Sequence, residues 1–178
     1  MQNLLFSTEK NLEVFLKQKK YKKIFILCGK QSFIKSGAKK MITKYVKDKI
    51  IKYYFKKSPY PEINEVKKIN FDLKKFAPDL MIAIGGGSVL DYAKVANILI
   101  NVENLEKKII NFNYPIKKKI TKLLAIPTTS GSGAEVTSGA VIYINRIKYS
   151  LEDPAIKPDY FFLIPKLVIK ASKKIKSS

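Results

Sequence analysis

The chain has 178 residues, of which 46% are apolar, and a formal net charge of +21. A chain of this length can bury one sizeable hydrophobic core, so we expect one main domain. Its longest apolar runs are far too short to cross a bilayer, and charged residues interrupt the first 20 positions. We therefore expect neither a membrane helix nor a signal peptide.

The positive charge alone would suggest a nucleic-acid-binding protein. Of the 35 basic residues, however, only Arg146 is an arginine, and arginine is the residue that most often reads base edges. The lysines are scattered through every segment and form no single stripe. We expect no nucleic-acid partner and infer only an electrostatic field that favours an anionic ligand.

Cysteine and histidine usage narrows the chemistry further. Cys28 is the single cysteine, and it falls at the end of a predicted strand. We interpret it as a buried reduced thiol, which fits a cytoplasmic protein. The absence of histidine removes the commonest general base and the commonest metal ligand from this sequence.

Apolar runs and helical periodicity alternate along the chain. Five runs are predicted strands: Lys23–Cys28, Lys52–Phe55, Leu80–Ile84, Leu123–Ile126 and Phe161–Ile164. Four segments are predicted helices: residues 9–19, 32–49 (with Gly37 interrupting its first turn), 62–76 and 88–100. Residues 140–144 and 147–151 flank Asn145-Arg146 and predict a β-hairpin.

This alternation predicts an α/β fold. We expect a Rossmann-like parallel sheet with helices on both faces, joined by right-handed crossovers, together with the β-hairpin. Ligands of such folds bind outside the carboxyl ends of the strands.

The first candidate site is the turn Gly85-Gly86-Gly87-Ser88, between a predicted buried strand and a helix. A structural interpretation makes Ser88 the helix N-cap, with Asp91 completing a capping box and Lys94 forming a salt bridge to Asp91. That interpretation leaves the three consecutive glycines unexplained. Close approach of a phosphate to the backbone at a helix N-terminus would explain them, with Lys94 contacting the phosphate or a ribose.

The second candidate site is the loop of residues 127–137, which follows the next predicted strand. It is rich in hydroxyl groups, at Thr128, Thr129, Ser130 and Ser132. A polar turn in which Ser132 caps a following helix, with Glu135 three residues later, would account for this loop alone. Hydroxyls and exposed amides also suit the oxygens of a pyrophosphate or ribose. We expect both loops to face one cleft.

Together the two loops resemble a known family. Residues 85–94 (Gly-Gly-Gly-Ser-Val-Leu-Asp-Tyr-Ala-Lys) and 126–137 (Ile-Pro-Thr-Thr-Ser-Gly-Ser-Gly-Ala-Glu-Val-Thr) are similar to two motifs of the iron-containing, or group III, alcohol dehydrogenases. Those motifs are G-G-G-S-x-x-D-x-A-K and P-T-T-x-G-T-G-S-E-V-T, at about the same separation. The resemblance extends from residues 23–29 to residues 158–165. Glycerol dehydrogenases and dehydroquinate synthases are more distant relatives with the same kind of fold.

The resemblance implies an N-terminal domain that binds NAD or NADP. Within it, Gly86, Gly87 and Ser88 would hold the pyrophosphate. Asp91 and Lys94 would line the cleft near the nicotinamide, and Lys148 would reach a ribose. The full set of implied cofactor-binding residues is Gly29, Gly85, Gly86, Gly87, Ser88, Asp91, Lys94, Thr128, Thr129, Ser132 and Lys148.

Gly29 departs from the family pattern in a way that bears on the cofactor. NAD-using members often have aspartate at this position, where it binds the adenosine ribose hydroxyls. A missing carboxylate removes the repulsion against a 2′-phosphate, so NADP becomes a candidate beside NAD.

The resemblance also implies a metal, iron or zinc, bound by an aspartate and several histidines of a C-terminal helical domain. This sequence has no histidine, and Ile164-Pro165-Lys166-Leu167 replaces the common Asp-Pro-x-Leu. We interpret residues 1–164 as the dinucleotide-binding domain and residues 165–178 as the start of a truncated helical domain. We expect no catalytic residue and no metal ligand here, and cofactor binding without turnover of alcohol.

Three functions remain open at this stage. The first is hydride transfer between the nicotinamide and a small alcohol or aldehyde; residues 148–160 faintly resemble members that act on phosphonoacetaldehyde. The second is a glycerol dehydrogenase or dehydroquinate synthase-like enzyme on the same fold. The third is a lysine-rich module that binds polyanions. A homo-oligomer is compatible with each enzyme.

Overall fold

The structure, a computed structural model, describes residues 3–4, 9–98, 103–113 and 118–169. Its strands are β1 (Asn3–Leu4), β2 (Lys23–Gly29), β3 (Ile50–Lys56), β4 (Leu80–Gly85), β5 (Lys122–Pro127), β6 (Gly139–Ile144), β7 (Ile147–Glu152) and β8 (Tyr160–Phe161). Its helices are α1 (Glu9–Gln18), α2 (Lys30–Lys35), α3 (Ala38–Tyr45), α4 (Ile63–Phe76), α5 (Gly87–Ile98) and α6 (Leu105–Ile110).

Six strands form one sheet in the order β1-β8-β5-β4-β2-β3, and every neighbouring pair is parallel. The three long inner strands, β5, β4 and β2, are almost entirely buried. Their near-continuous apolar sequences follow from burial on both faces, as is usual for strands of parallel sheets.

Helices cover both faces of the sheet, and alternate residues of each strand divide the core between them. On one face, Phe25 and Met81 pack with α4, α5, α6 and the β6–β7 hairpin. On the other, Ile24 and Ile82 pack with α1, α2 and α3. The prediction of a Rossmann-like α/β fold is confirmed.

The hairpin is an antiparallel pair whose register joins Tyr143 to Lys148. Asn145 and Arg146 at its turn both have positive φ, of 50° and 67°, as a tight hairpin connection requires. The Tyr143 N–H donates to Pro61 O over 2.7 Å, which ties the hairpin to the segment before α4. The predicted hairpin is confirmed, one residue longer at each outer end.

The predicted interruption of the helical segment 32–49 at Gly37 is confirmed, because Gly37 adopts φ 85° and separates α2 from α3. The bounds were wrong in detail, since α2 begins at Lys30 and α3 ends at Tyr45. The last strand is only Tyr160–Phe161, and residues 165–169 are helical. Most of the predicted second domain, residues 165–178, and the end of the predicted helix at residues 99–100 lie outside the described residues.

Cys28 lies in β2 and is fully buried, and burial raises the pKa of its thiol to about 12. The thiol is therefore inert near neutral pH, as predicted. In the part of the chain that the structure describes, none of the helices is both long and apolar enough to span a membrane.

Candidate functional site

The two candidate loops leave the sheet side by side. Gly85, the last residue of β4, pairs in register with Pro127, the last residue of β5. The Thr128 N–H then donates to Gly85 O over 2.9 Å. The two loops therefore start at the same carboxyl edge and are joined to each other at their first residues.

Each glycine of the first loop faces a protein atom. A Cβ built on Gly85 would lie 2.5 Å from Val89 Cγ2, and one built on Gly86 would lie 3.0 Å from Thr129 Oγ1. A Cβ on Gly87 would lie 3.2 Å from Ser132 Cβ. Packing of the turn against α5 and the second loop thus accounts for the three glycines without a ligand. The sequence alone suggests ligand approach as the reason for these glycines. The structure gives packing as a sufficient reason, so ligand approach is only an additional one.

Helix α5 begins one residue earlier than predicted. Its first residue is Gly87, and the N–H groups of Val89 and Leu90 both donate to Gly86 O. Ser88 therefore lies inside the first turn, so the prediction that it is the N-cap was wrong. The first N–H groups of a helix have no acceptor within the helix, and α5 begins directly after β4, at the carboxyl edge of the sheet.

The second loop is a series of turns rather than the start of a helix. Ser132 Oγ accepts from the Ala134 N–H over 3.4 Å, and the Val136 N–H donates to Gly133 O over 3.0 Å. Residues 134–136 form only a turn, so the prediction that Ser132 caps a helix was wrong. The loop leaves its Ser130 and Ser132 side chains exposed.

Thr128 differs from the other hydroxyl residues of this loop. Its side chain is buried, and its Oγ1 has no hydrogen-bond partner among the described residues. A buried hydroxyl without a partner is costly, and here it lies at the junction of the two loops. Thr129, by contrast, is partly exposed.

A cleft of about 550 Å³ opens between α5, the second loop and the hairpin. Three of the predicted residues, Gly87, Asp91 and Ser132, line it together. The remainder of its wall comes mainly from the hairpin and the segments beside it, including Thr137, Gly139, Val141, Ser150 and Lys157. Sequence reasoning missed these residues because no local pattern shows where a hairpin docks.

Asp91 is one of two acidic residues that line this cleft, the other being Glu152. Burial raises the pKa of its carboxyl group to about 6. The charge of Lys94, a hydrogen bond from the Val141 backbone and the charge of Lys148 lower the pKa in part. Small changes in the surroundings of this carboxyl group would therefore alter its protonation state near neutral pH.

Lys94 is fully buried behind the cleft. Its Nζ donates to Gly139 O over 2.8 Å and to Thr137 Oγ1 over 3.2 Å. It forms no ion pair with Asp91 in the described structure, so the predicted salt bridge was wrong. Burial lowers the pKa of the ammonium to about 8, and the charges of Asp91 and Glu135 oppose that shift. Lys94 fastens α5 to the end of the second loop.

Lys148 and Gly29 lie away from the cleft wall. Lys148 is exposed on β7, yet its charge still affects the pKa of Asp91. Gly29 ends β2, the strand next to β4 at the same edge. The predicted residues therefore extend along the edge of the sheet, from β2 past β4 and β5 to the hairpin.

A metal site is a separate question. Among the described residues, no three carboxylate, thiol or imidazole groups come close enough together to hold a metal ion. Asp91 and Glu152 are the acidic residues that line the cleft, and two carboxylates without a third ligand do not make a site for iron or zinc. These residues do not fit the metal that the family resemblance implies.

The sequence matches the profile of the iron-containing alcohol dehydrogenases over residues 5–165. A 1-propanol dehydrogenase of Citrobacter freundii is 34% identical over 171 residues, which cover 95% of this chain and 42% of that protein. An alcohol dehydrogenase of Thermococcus barophilus is 37% identical over 113 residues, covering 60% of this chain and 30% of that protein. The chain spans less than half of the length of these relatives.

Solved structures give the same assignment of the fold. The iron-containing alcohol dehydrogenase of Thermococcus thioreducens superposes with a TM-score of 0.80 at 27% identity, covering 94% of this chain and 47% of that one. A sulfoacetaldehyde reductase of Bifidobacterium kashiwanohense, solved in complex with NAD+, gives 0.80 at 21% identity, covering 94% and 46%. With the profile match over 161 residues and both loop motifs in order, these results show that the chain belongs to the iron-containing alcohol dehydrogenase family.

Proposed function

We propose that this chain is the NAD(P)-binding part of a metal-dependent alcohol dehydrogenase, which transfers hydride between a nicotinamide cofactor and a small alcohol or aldehyde. The observation that carries the proposal is the junction of the two loops. A helix N-terminus and a hydroxyl-rich loop leave neighbouring strands together and open onto one cleft. This combination suits a phosphate-bearing ligand.

In this proposal the two loops hold the cofactor. The backbone at Gly86, Gly87 and Ser88 would bind the pyrophosphate, because the first N–H groups of α5 lack intrahelical acceptors. Ser132 and Thr129 would add hydroxyl contacts. Thr128 Oγ1 has no partner in the described chain, so a small shift of the loop on binding would give it an acceptor.

The remaining predicted residues would position the other end of the cofactor. Asp91 lines the cleft, Lys94 holds the second loop from behind, and Lys148 would reach a ribose. When bound, the nicotinamide supplies or accepts the hydride. The residues of this chain orient that ring and shield its pocket from water, and none of them is proposed to transfer a proton.

Relatives support the cofactor class. An NADPH-dependent butanol dehydrogenase of Clostridium saccharobutylicum is 36% identical over 152 residues, covering 81% of this chain and 39% of that protein. For the substrate we propose a small alcohol or aldehyde, with phosphonoacetaldehyde as the specific candidate. Lys157 in the cleft wall would favour such an anion, and it would have to outweigh the carboxyl groups of Asp91 and Glu152 in the same wall.

The cofactor site can be tested with a charge at the start of α5. Ser88→Glu adds a carboxylate in the first turn, where it favours the helix but repels a pyrophosphate. We expect NADH and NADPH binding, measured by ligand fluorescence, to weaken by at least about 10-fold. Asn64→Glu is the matched control, since Asn64 is exposed and holds the same position in α4. Equal affinities in Ser88→Glu and wild type would contradict the proposal.

Salt separates this function from polyanion binding. Non-specific binding of a polyanion should fall steeply as salt rises and should be unaffected by Ser88→Glu. Dinucleotide binding should be weaker in Ser88→Glu than in the wild type at every salt concentration. The same preparation also tests turnover: we expect no metal-dependent oxidation of alcohol by residues 1–178, and measurable activity with added iron or zinc would show that prediction to be wrong.

A further inference from the structure

Strand β3 forms one edge of the six-stranded sheet, and this edge is long. β3 has seven residues, Ile50–Lys56, and its neighbour on the inner side is β2. Among the described residues, no strand pairs with its outer side. Natural proteins usually keep such edges short or cover them, because an open edge accepts a further strand. β3 is therefore a place where another polypeptide segment could pair with this sheet.

Three residues of β3 direct their backbone groups away from the sheet. The Ile50 N–H donates over 2.8 Å to Lys22 O, just before β2, so Ile50 and every second residue after it bond to β2. The backbone groups of successive residues in a strand point to opposite sides. Those of Ile51, Tyr53 and Phe55 therefore point outward, and none of them has a hydrogen-bond partner among the described residues.

Aromatic side chains are exposed along the same edge. Tyr53 and Phe55 leave 36% and 41% of their surface exposed, and Phe71 on α4 leaves 67%. The rings of Tyr53 and Phe55 lie 6.0 Å apart with only 3° between their planes, and both contact Phe33 of α2. Covering rings that are already ordered costs little conformational entropy. The edge thus offers an apolar surface that is organised before a partner arrives.

A groove of about 900 Å³ follows this edge, between β3 and the outer face of α4. Tyr53, Tyr54 and Phe55 line it from the strand, and Phe71 lines it from the helix. It shares no lining residue with the cleft of the candidate functional site. A strand added to β3 would lie along this groove, with the side chains of one face against α4.

The charge of the groove selects the kind of partner. Its charged lining residues are Lys57, Lys67, Lys68 and Asp72. Asp72 is paired with Lys52 over 2.6 Å, and Lys67 is paired with a glutamate of α6. Lys57 and Lys68 form no ion pair among the described residues. These two cations favour an acidic occupant, whereas a second copy of this chain, with a net charge of +21, would be repelled.

We infer that β3 binds an extended acidic segment of another protein, which adds to this edge of the sheet as a further strand. The outward backbone groups of Ile51, Tyr53 and Phe55 would bond to the backbone of that segment. Its apolar side chains would cover the exposed rings, and its carboxylates would pair with Lys57 and Lys68. The inference does not depend on the dinucleotide site.

The probe is a fluorescein-labelled peptide of about eight residues in which glutamate and valine alternate, with binding measured by fluorescence anisotropy. We expect the wild type to bind it at least about 10-fold more tightly than a peptide with lysine in place of glutamate. A peptide with an N-methylated backbone keeps the charge but has no N–H donors, and should bind at least about 10-fold more weakly. Equal binding of the methylated and unmethylated peptides would overturn the addition of a strand.

On the protein side, Tyr53→Pro removes the central outward N–H group without removing a hydrogen bond between β2 and β3. Tyr53→Ala is the matched control, because it removes the same ring and keeps the N–H group. We expect the proline variant to bind the acidic peptide about 5- to 10-fold more weakly than the alanine variant. Equal affinities would show that the backbone of β3 is not used. If Tyr53→Pro loses its thermal unfolding transition, the methylated peptide decides the question alone.

Other occupants of this edge would give different results. Self-association of the wild type, measured by sedimentation at rising concentration and lost in Tyr53→Pro but not in Tyr53→Ala, would make a second copy the occupant and overturn the inference. An oligothymidylate that binds more tightly than the acidic peptide, and equally in both variants, would assign the face to single-stranded nucleic acid instead. A lysine peptide bound as tightly as the glutamate peptide would overturn the selection of an acidic partner.

Discussion

The two loops of the candidate site lie side by side but are built in opposite ways. The first, residues 85–88, is enclosed: its three glycines each face another side chain at 2.5–3.2 Å. The second, residues 127–137, is open: Gly131 and Gly133 have positive φ, with no atom near the position of a Cβ. Glycine is thus required in the first loop by lack of space and in the second by backbone conformation.

This difference shows which parts of the site are rigid. The conformation of the first loop is determined by strand β4, by α5 and by the second loop packed against it. The second loop is fastened at its two ends, by the Thr128 N–H on Gly85 O and by Lys94 on Thr137 and Gly139. Substitutions should therefore affect folding in the first loop and at the fastening points, and have smaller effects in between.

Gly85→Ala should have the largest effect. Its methyl group would lie 2.5 Å from Val89 Cγ2 and 2.7 Å from Val89 Cβ, which forces strand and helix apart. We expect a loss of about 2–3 kcal/mol in the free energy of unfolding, measured by urea denaturation. Val89→Ala in the same chain removes the contacts to Cγ1 and Cγ2 but keeps the one to Cβ, so it should recover only part of that loss. A single variant as stable as wild type would show that the turn is not enclosed.

Much of this arrangement could be predicted from the sequence, because it depends on local patterns. The apolar runs of β2, β4 and β5 and the hairpin around Asn145-Arg146 were located within a residue or two. The family motifs identified the two loops. The start of α5 was misplaced by one residue because the sequence offered Ser88 as a good N-cap, whereas the backbone carbonyl of Gly86 begins the helix.

The features that could not be predicted from the sequence depend on contacts between distant segments. The position of Lys56 beside Gly29 follows from the register of β2 and β3, and no local sequence pattern predicts that register. Lys94 stood within a motif that suggested a phosphate contact, but its buried amine is bound to Gly139 and Thr137. The last strand is only two residues long, and the chain is helical again from Pro165.

Lys94→Met tests the second fastening point through its pH dependence. The folded state lowers the pKa of Lys94 from 10.5 to about 8, so between these values the unfolded chain binds more protons. The stability of the wild type should therefore rise with pH across this window, by about 2–3 kcal/mol relative to Lys94→Met. Urea denaturation at pH 7.5 and pH 10.5 measures the difference. Parallel pH profiles for the two proteins would contradict the burial of this ammonium.

Asp91→Asn tests the face of α5 that lines the cleft. Its effect on the pH dependence of stability should have the opposite sign to that of Lys94→Met. The folded state raises the pKa of Asp91 from 3.8 to about 6, so the folded chain binds the extra proton. The stabilising contribution of protonated Asp91 is fully present below about pH 4 and is lost as the pH rises through 6. Because the side chain is partly exposed, we expect a fall of about 1–2 kcal/mol relative to Asp91→Asn. A rise over this window would be the wrong sign.

Gly131→Ala should have the smallest effect, and it is the direct counterpart of Gly85→Ala in the open loop. Gly131 has φ 99° with no atom within 4 Å of a built Cβ, so the cost is conformational and not steric. We expect a loss of about 1 kcal/mol, again by urea denaturation. Adding Val89→Ala should not relieve it, because Val89 is not its neighbour. A Gly131→Ala loss as large as that of Gly85→Ala would mean that the second loop is packed as tightly as the first, and the contrast between the loops would fail.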